Sequence, residues 1–165
     1  MGKRKQNKPQ VILGLDVSSS STGYAILRGG RWNKSASSYG VIKTDSKVTL
    51  PQRLVSFRDQ LSALLKRTKP DVVIIEDIFS LRNVGTLKLL ARFSGVAMET
   101  CRRFVGEDPQ LVMTTSVRST LGCGMDKEAA FKYICDRYNL DWKISMNDVT
   151  DAVCLALYQH EVLKK

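Results

Sequence analysis

The chain has 165 residues, of which 43% are hydrophobic and 25% charged, a size and balance suited to one domain around one core. No apolar run reaches the roughly 18 residues of a membrane helix, and the basic start MGKRKQNKPQ lacks a signal-peptide core, so a cytoplasmic protein with no membrane association is expected. The 26 Lys and Arg against 16 Asp and Glu leave a net charge of +10, which favours a polyanionic partner through counterion release but also fits plain solubility.

Residues 1–10 read as a basic flexible tail and 11–165 as a single domain. Val11 to Val17 is an apolar run expected to form a strand buried on both faces. Thr22 to Leu27 predicts a second strand, Gly29-Gly30 a tight hairpin turn, and Tyr39 to Lys43 a third strand. The connections are too short for crossover helices, so the three should form an antiparallel meander. Pro51 suits a first helical turn, and Leu54, Phe57, Leu61, Leu64 and Leu65 continue at helical spacing to about Thr68. Val72 to Ile75 is a buried strand running into Glu76 and Asp77. A helix is expected from about Gly85 to Phe104 and a short strand over 110–114. Helices follow at Ser116 to Leu121, Lys127 to Tyr138 and Asn147 to Leu163. This order is an α/β layout. Cys101, Cys123, Cys135 and Cys154 show no C-x-x-C pairing and His160 is the single histidine, so reduced buried thiols are expected rather than a zinc site.

Asp16 and Glu76 stand where apolar strands stop, at the strand ends that form the crevice of parallel sheets. Were the strands neighbours, the two carboxylates would repel unless a cation joined them, and a hard divalent ion such as Mg²⁺ is the natural choice. Asp148 and Asp151 are three apart and share a helix face. Asn147 or Asp148 could simply cap that helix and Asp151 be a surface acid. The apolar run from Ala152 to Leu157 instead makes the helix mostly buried, with its leading acids at a cleft. Four carboxylates from three segments are the inventory of a two-metal phosphodiester site. Lys127 opens a helix, where the dipole gives a cation nothing, so it is either solvated or partnered by phosphate.

The segments ILGLDVSSSSTGYAIL, KPDVVIIEDIF…N, LG.GM.K and NDVTDAVCLALY resemble, in order and separation, the RuvC family of Holliday-junction resolvases within the ribonuclease H-like superfamily. The resemblance implies a ribonuclease H-like fold: a five-stranded mixed sheet, with the antiparallel meander joined to parallel strands and flanked by helices. It implies Asp16 and Glu76 as central metal ligands, completed by Asp148 and Asp151, with two Mg²⁺ per active site and Mn²⁺ able to substitute. It further implies that Lys127 contacts the region of the scissile phosphate and that Phe79 helps pry bases apart at the junction centre. The activity implied is that of a homodimer cutting two strands of like polarity in four-way DNA, leaving 5′-phosphate and 3′-hydroxyl ends. One departure is Val17-Ser18 where the family often carries Pro-Gly. GLDVSSSSTG also resembles the first phosphate loop of actin-like ATPases and sugar kinases, but these need two lobes, and no second phosphate loop is present. A non-catalytic branched-DNA binder and an RNA-processing relative are the remaining alternatives.

Arg82, Arg118 and Lys132 are candidate phosphate contacts, with Lys88, Arg92, Arg102 and Arg103 behind them. Ser18 could contact DNA or be an ordinary turn residue. On the second long helix, Leu87, Leu90, Ala91, Ser94, Gly95 and Met98 form a stripe, with Leu89, Phe93, Val96 and Ala97 around it. A helix apolar on more than one face is either central to the fold or shared with a partner, and the small residues at 91, 94 and 95 favour the helix around residues 85–104 as the contact of a symmetric homodimer.

Overall fold

The computed structural model describes residues 10–35, 38–78 and 83–165. Residues 1–9 of the expected tail, with all its basic residues, and both Phe79 and Arg82 lie outside the described residues. The strands are β1 (Val11–Asp16), β2 (Ser21–Arg28), β3 (Tyr39–Lys43), β4 (Val72–Glu76) and β5 (Gln110–Val112). The helices are α1 (Leu50–Thr68), α2 (Val84–Val105), α3 (Thr114–Leu121), α4 (Lys127–Tyr138) and α5 (Asn147–Leu163). The strands form one sheet in the order β3-β2-β1-β4-β5. β1–β2 and β2–β3 are antiparallel, and β1–β4 and β4–β5 parallel. This is the expected five-stranded mixed α/β sheet; each parallel step is made by a helical crossover, α1 or α2.

Strand alternation sorts the side chains. Leu13, Leu15, Ile26, Val73 and Ile75 point to one face, where they pack on α1 and α2 through Phe57, Leu61, Phe93 and Ala97. The Phe57 and Phe93 rings meet edge-to-face at 5.4 Å. Ile12, Ala25, Leu27 and Ile74 point to the other face, against Val149, Ala152, Val153 and Ala156 of α5 and the helices beside it. Leu15 pairs with Ile75 across the two parallel strands. The next residue on each strand, Asp16 and Glu76, therefore emerges side by side on the α5 face.

α5 sits on this face at backbone contact because two strand residues have no side chain. A Cβ on Gly14 would lie 2.2 Å from the Ala152 carbonyl oxygen, and one on Gly23 would lie 2.0 Å from that of Asp148. Gly23 is the partner of Asp16 in the β1–β2 ladder. The missing Cβ thus brings the first turn of α5 down beside Asp16.

Some local details meet expectation and three differ. Gly29 and Gly30 make the tight turn, with φ of 56° and 76° and an Arg28–Arg31 bridge, and β3 begins at Tyr39 as expected. Trp32 is buried, and its ring packs edge-on against Tyr138 at 4.8 Å and Trp142 at 6.0 Å. β5 ends at Val112 and α3 begins at Thr114, because the strand needs only enough length to pair with β4. α2 starts at Val84, capped by the Asn83 side chain accepting from the Thr86 N–H. Neither Asn147 nor Asp148 caps α5: its N-cap is Met146, with no side-chain cap, entered from a 3-10 turn at Ile144–Met146. That capping alternative is therefore set aside. All four cysteines are free, and Cys101, Cys123 and Cys154 are buried. Among the described residues no helix is long and apolar enough to cross a membrane.

Candidate active site

Asp16 ends β1, Glu76 ends β4, and Asp148 and Asp151 lie on the first two turns of α5. Lys127, the first residue of α4, reaches into this group: its Nζ lies 3.4 Å from Asp151 Oδ2 and 4.0 Å from Asp148 Oδ1. Burial, followed by the carboxylates of Glu76 and Asp151, pushes the Asp16 carboxyl well above the usual carboxylate value, against the pull of Lys127. Asp151 is likewise raised, by burial and by Glu76, with Lys127 and Arg118 opposing. Burial draws the Lys127 ammonium down, but Asp151 and Asp16 outweigh it and hold it above the ordinary lysine value.

The turn after Asp16 is held by its own serines. Ser18 Oγ accepts from the Ser21 N–H at 2.9 Å and the Ser20 N–H at 3.4 Å, while Thr22 Oγ1 accepts from the Ser18 N–H at 3.0 Å. Arg53 of α1 donates to the Ser19 carbonyl at 2.5 Å, Thr44 Oγ1 donates to the same oxygen, and the guanidinium lies over the Phe93 ring. The serine-rich stretch is thus first a rigid turn that fixes the strand end carrying Asp16.

Arg118 of α3 lines a pocket with Glu76, Thr114, Asp151 and Cys154, and donates to the Met125 carbonyl at 2.5 Å. Lys132 is not drawn to this group; it is exposed on α4 and paired with Asp136 at 2.5 Å. Sequence reasoning missed two contributors. Thr114, at the start of α3, donates its hydroxyl hydrogen bond to Glu76 Oε1. Arg53 reads in sequence as one more cation on a helix surface. Neither carries a local signal, since their partners are 38 and 34 positions away.

A family model described as crossover junction endodeoxyribonuclease RuvC matches residues 12–159. The chain belongs to the RuvC family. The RuvC of Dictyoglomus turgidum is 30% identical over 148 residues, covering 89% of this chain and 94% of that protein. The RuvC of Syntrophomonas wolfei is 37% identical over 89 residues, a match spanning 54% of this chain and about half (52%) of that relative's length. Among solved structures, Thermus thermophilus RuvC in complex with Holliday junction substrate superposes with a TM-score of 0.79 at 17% identity, covering 94% of this chain and 95% of that one. That likeness establishes the RuvC, ribonuclease H-like fold for this chain.

The donor chemistry of the site fits a hard divalent cation. The groups are all carboxylate oxygens, and Asp16 sits where its charge is opposed by burial and by its neighbours, a conflict that a bound cation resolves. Among the described residues no three of these acids are drawn together as a ready-made metal shell. Asp151 and Asp148 rest against Lys127, and Glu76 against Thr114.

Proposed function

We propose that this protein is a Mg²⁺-dependent endonuclease that resolves four-way DNA junctions by paired symmetric nicks. The single observation that carries the reading is that the buried Asp16 carboxylate is opposed by the charges of Glu76, Asp151 and Asp148, the last two paired with Lys127, in a chain of the RuvC family. Asp16 and Glu76 would be the central ligands of the metal, and Asp148 and Asp151 would complete the set from α5. When bound, two Mg²⁺, or Mn²⁺ in their place, supply Lewis acidity at the scissile phosphate and lower the pKa of the attacking water. Lys127, beside Asp151 and Asp148, would offer its ammonium to a phosphate oxygen. The water oxygen would bond to phosphorus as the P–O bond to the 3′-oxygen breaks, the water losing a proton to solvent and the departing 3′-oxygen taking one from solvent, which leaves 5′-phosphate and 3′-hydroxyl ends.

Arg118 and Ser18 flank the acids and serve the DNA backbone, with Lys132 more distant and first needing release from Asp136. Phe79, just past β4, is assigned to the junction centre and Arg82 to the DNA backbone. The working unit is a homodimer through α2, since a junction with two cut sites requires two sites at fixed separation. Residues 11–165 act as one nuclease domain with the basic tail at 1–10, working on DNA in the cytoplasm.

The test is cleavage of end-labelled four-way, three-way and linear duplex DNA with and without Mg²⁺. Symmetric nicks in the four-way form that require Mg²⁺ or Mn²⁺ are expected. Cleavage in EDTA, or linear duplex cut as fast as the junction, would contradict the proposal.

A further inference from the structure

We infer that Thr114 is a positioning residue for the metal site: its hydroxyl holds the Glu76 carboxylate by one oxygen and leaves the other turned to the ion. The inference rests on the reading of Glu76 as a metal ligand.

A threonine at a helix start ordinarily satisfies that helix's own N–H groups. Here the N-cap of α3 is Met113, with no side-chain cap, and the Thr114 hydroxyl crosses to Glu76 Oε1 instead. The backbone fixes this meeting. Glu76 pairs with Val112 in the β4–β5 ladder, and the Asp77 N–H donates to the Val112 carbonyl at 2.8 Å. Thr114 follows two residues later on the same side of the sheet as Val112, which packs in the α5-face core. Arg118, one turn further along α3, lines the same pocket as Glu76 and Asp151. The helix thus presents a donor to Glu76 and a cation near Asp151.

A hydroxyl has one proton to donate, so it engages one carboxylate oxygen. A carboxylate otherwise free to rotate about its side-chain torsions is then held in one orientation before the cation arrives. Groups that orient a ligand in this way typically change metal affinity by roughly 10–100-fold when removed.

The experiment is calorimetric titration of Mn²⁺ into the full chain without DNA, for wild type, T114V, T114A and T114S, with melting temperature recorded for each. T114V keeps the shape and loses the donor, while T114S keeps the donor. Weaker Mn²⁺ binding by roughly tenfold or more in T114V and T114A, with T114S close to wild type and all four folded, is the expected result. In cleavage assays the same variants should need more metal and regain most of the rate at saturation. T114V binding Mn²⁺ as tightly as wild type, or T114S weakened as much as T114V, overturns the inference while leaving the metal site standing. A wild-type protein that binds no Mn²⁺ overturns the inference together with the metal-dependent reading beneath it.

Discussion

Asp16 carries its charge at a position where burial and the carboxylates of Glu76, Asp151 and Asp148 all oppose it. A carboxyl raised in the folded state binds its proton more tightly there than in the unfolded chain. Its ionisation therefore costs stability as pH rises from the ordinary carboxylate value through the raised one, and the full cost is present above both. Asp16→Asn should accordingly melt higher than wild type at neutral pH in the absence of divalent ions, and the advantage should vanish at acidic pH. Each kcal/mol relieved corresponds to about 2–4 °C for a chain of this size. Added Mg²⁺ should raise the melting temperature of wild type more than that of the variant. A variant that melts below wild type at neutral pH would show that the Asp16 charge stabilises the fold. The four acids were legible in the sequence because each sits where an apolar run begins or ends. Lys127 was legible as a cation in a place the helix dipole does not favour. Thr114 and Arg53 were not, because what they do depends on which strand ends lie beside which helices, and no local pattern encodes that.

At the scale of elements, α5 must lie directly on β1 and β2 for Asp148 and Asp151 to reach Asp16. Gly23→Ala would set a methyl group 2.0 Å from the Asp148 carbonyl oxygen and lift the first turn of α5. The expected cost is about 1–3 kcal/mol of stability, with cleavage falling by roughly 10²-fold as the acids are displaced. Denaturant titration and single-turnover cleavage check the two effects, and unchanged cleavage would mean that α5 tolerates the shift. α2 shows what periodicity conveys and what it does not. Its stripe of small and apolar residues is real, but the structure divides it. Ser94 is buried within the protein's own fold, and Leu90 and Met98 pack partly against the α1–α2 core. Ala91 is exposed, and a Cβ on Gly95 would meet nothing within 4 Å. Gly95→Glu should therefore stay folded by circular dichroism yet sediment as a monomer, because an unpaired carboxylate would be buried between copies. Leu90→Glu should damage the fold itself. A Gly95→Glu protein that remains dimeric would move the contact away from this face. Hydrophobic spacing identifies apolar faces, whereas which neighbour covers each face is set by tertiary packing.

At the scale of the molecule, the sheet order follows from connection lengths. Short links made β1, β2 and β3 an antiparallel meander, and the crossover through α1 made β4 parallel to β1. That topology puts two strand ends side by side, and strand alternation then turns Asp16 and Glu76 to the face on which α5 lies. The parts the sequence left illegible were irregular ones. Trp32 is held by aromatic contacts with Tyr39, Tyr138 and Trp142, the last two more than a hundred positions away. The positive charge, +10 over the chain, favours a polyanionic partner, and the proposed DNA binding would draw on it independently of the acids. Binding and chemistry should therefore separate cleanly. The most direct measurement compares wild type, Asp16→Asn and Glu76→Gln on one labelled four-way junction, recording cleavage in Mg²⁺ alongside binding by gel shift in Ca²⁺. Both variants should lose cleavage while binding the junction as tightly as wild type or more so; cleavage by either at the wild-type rate would contradict the assignment of Asp16 and Glu76 to the metal.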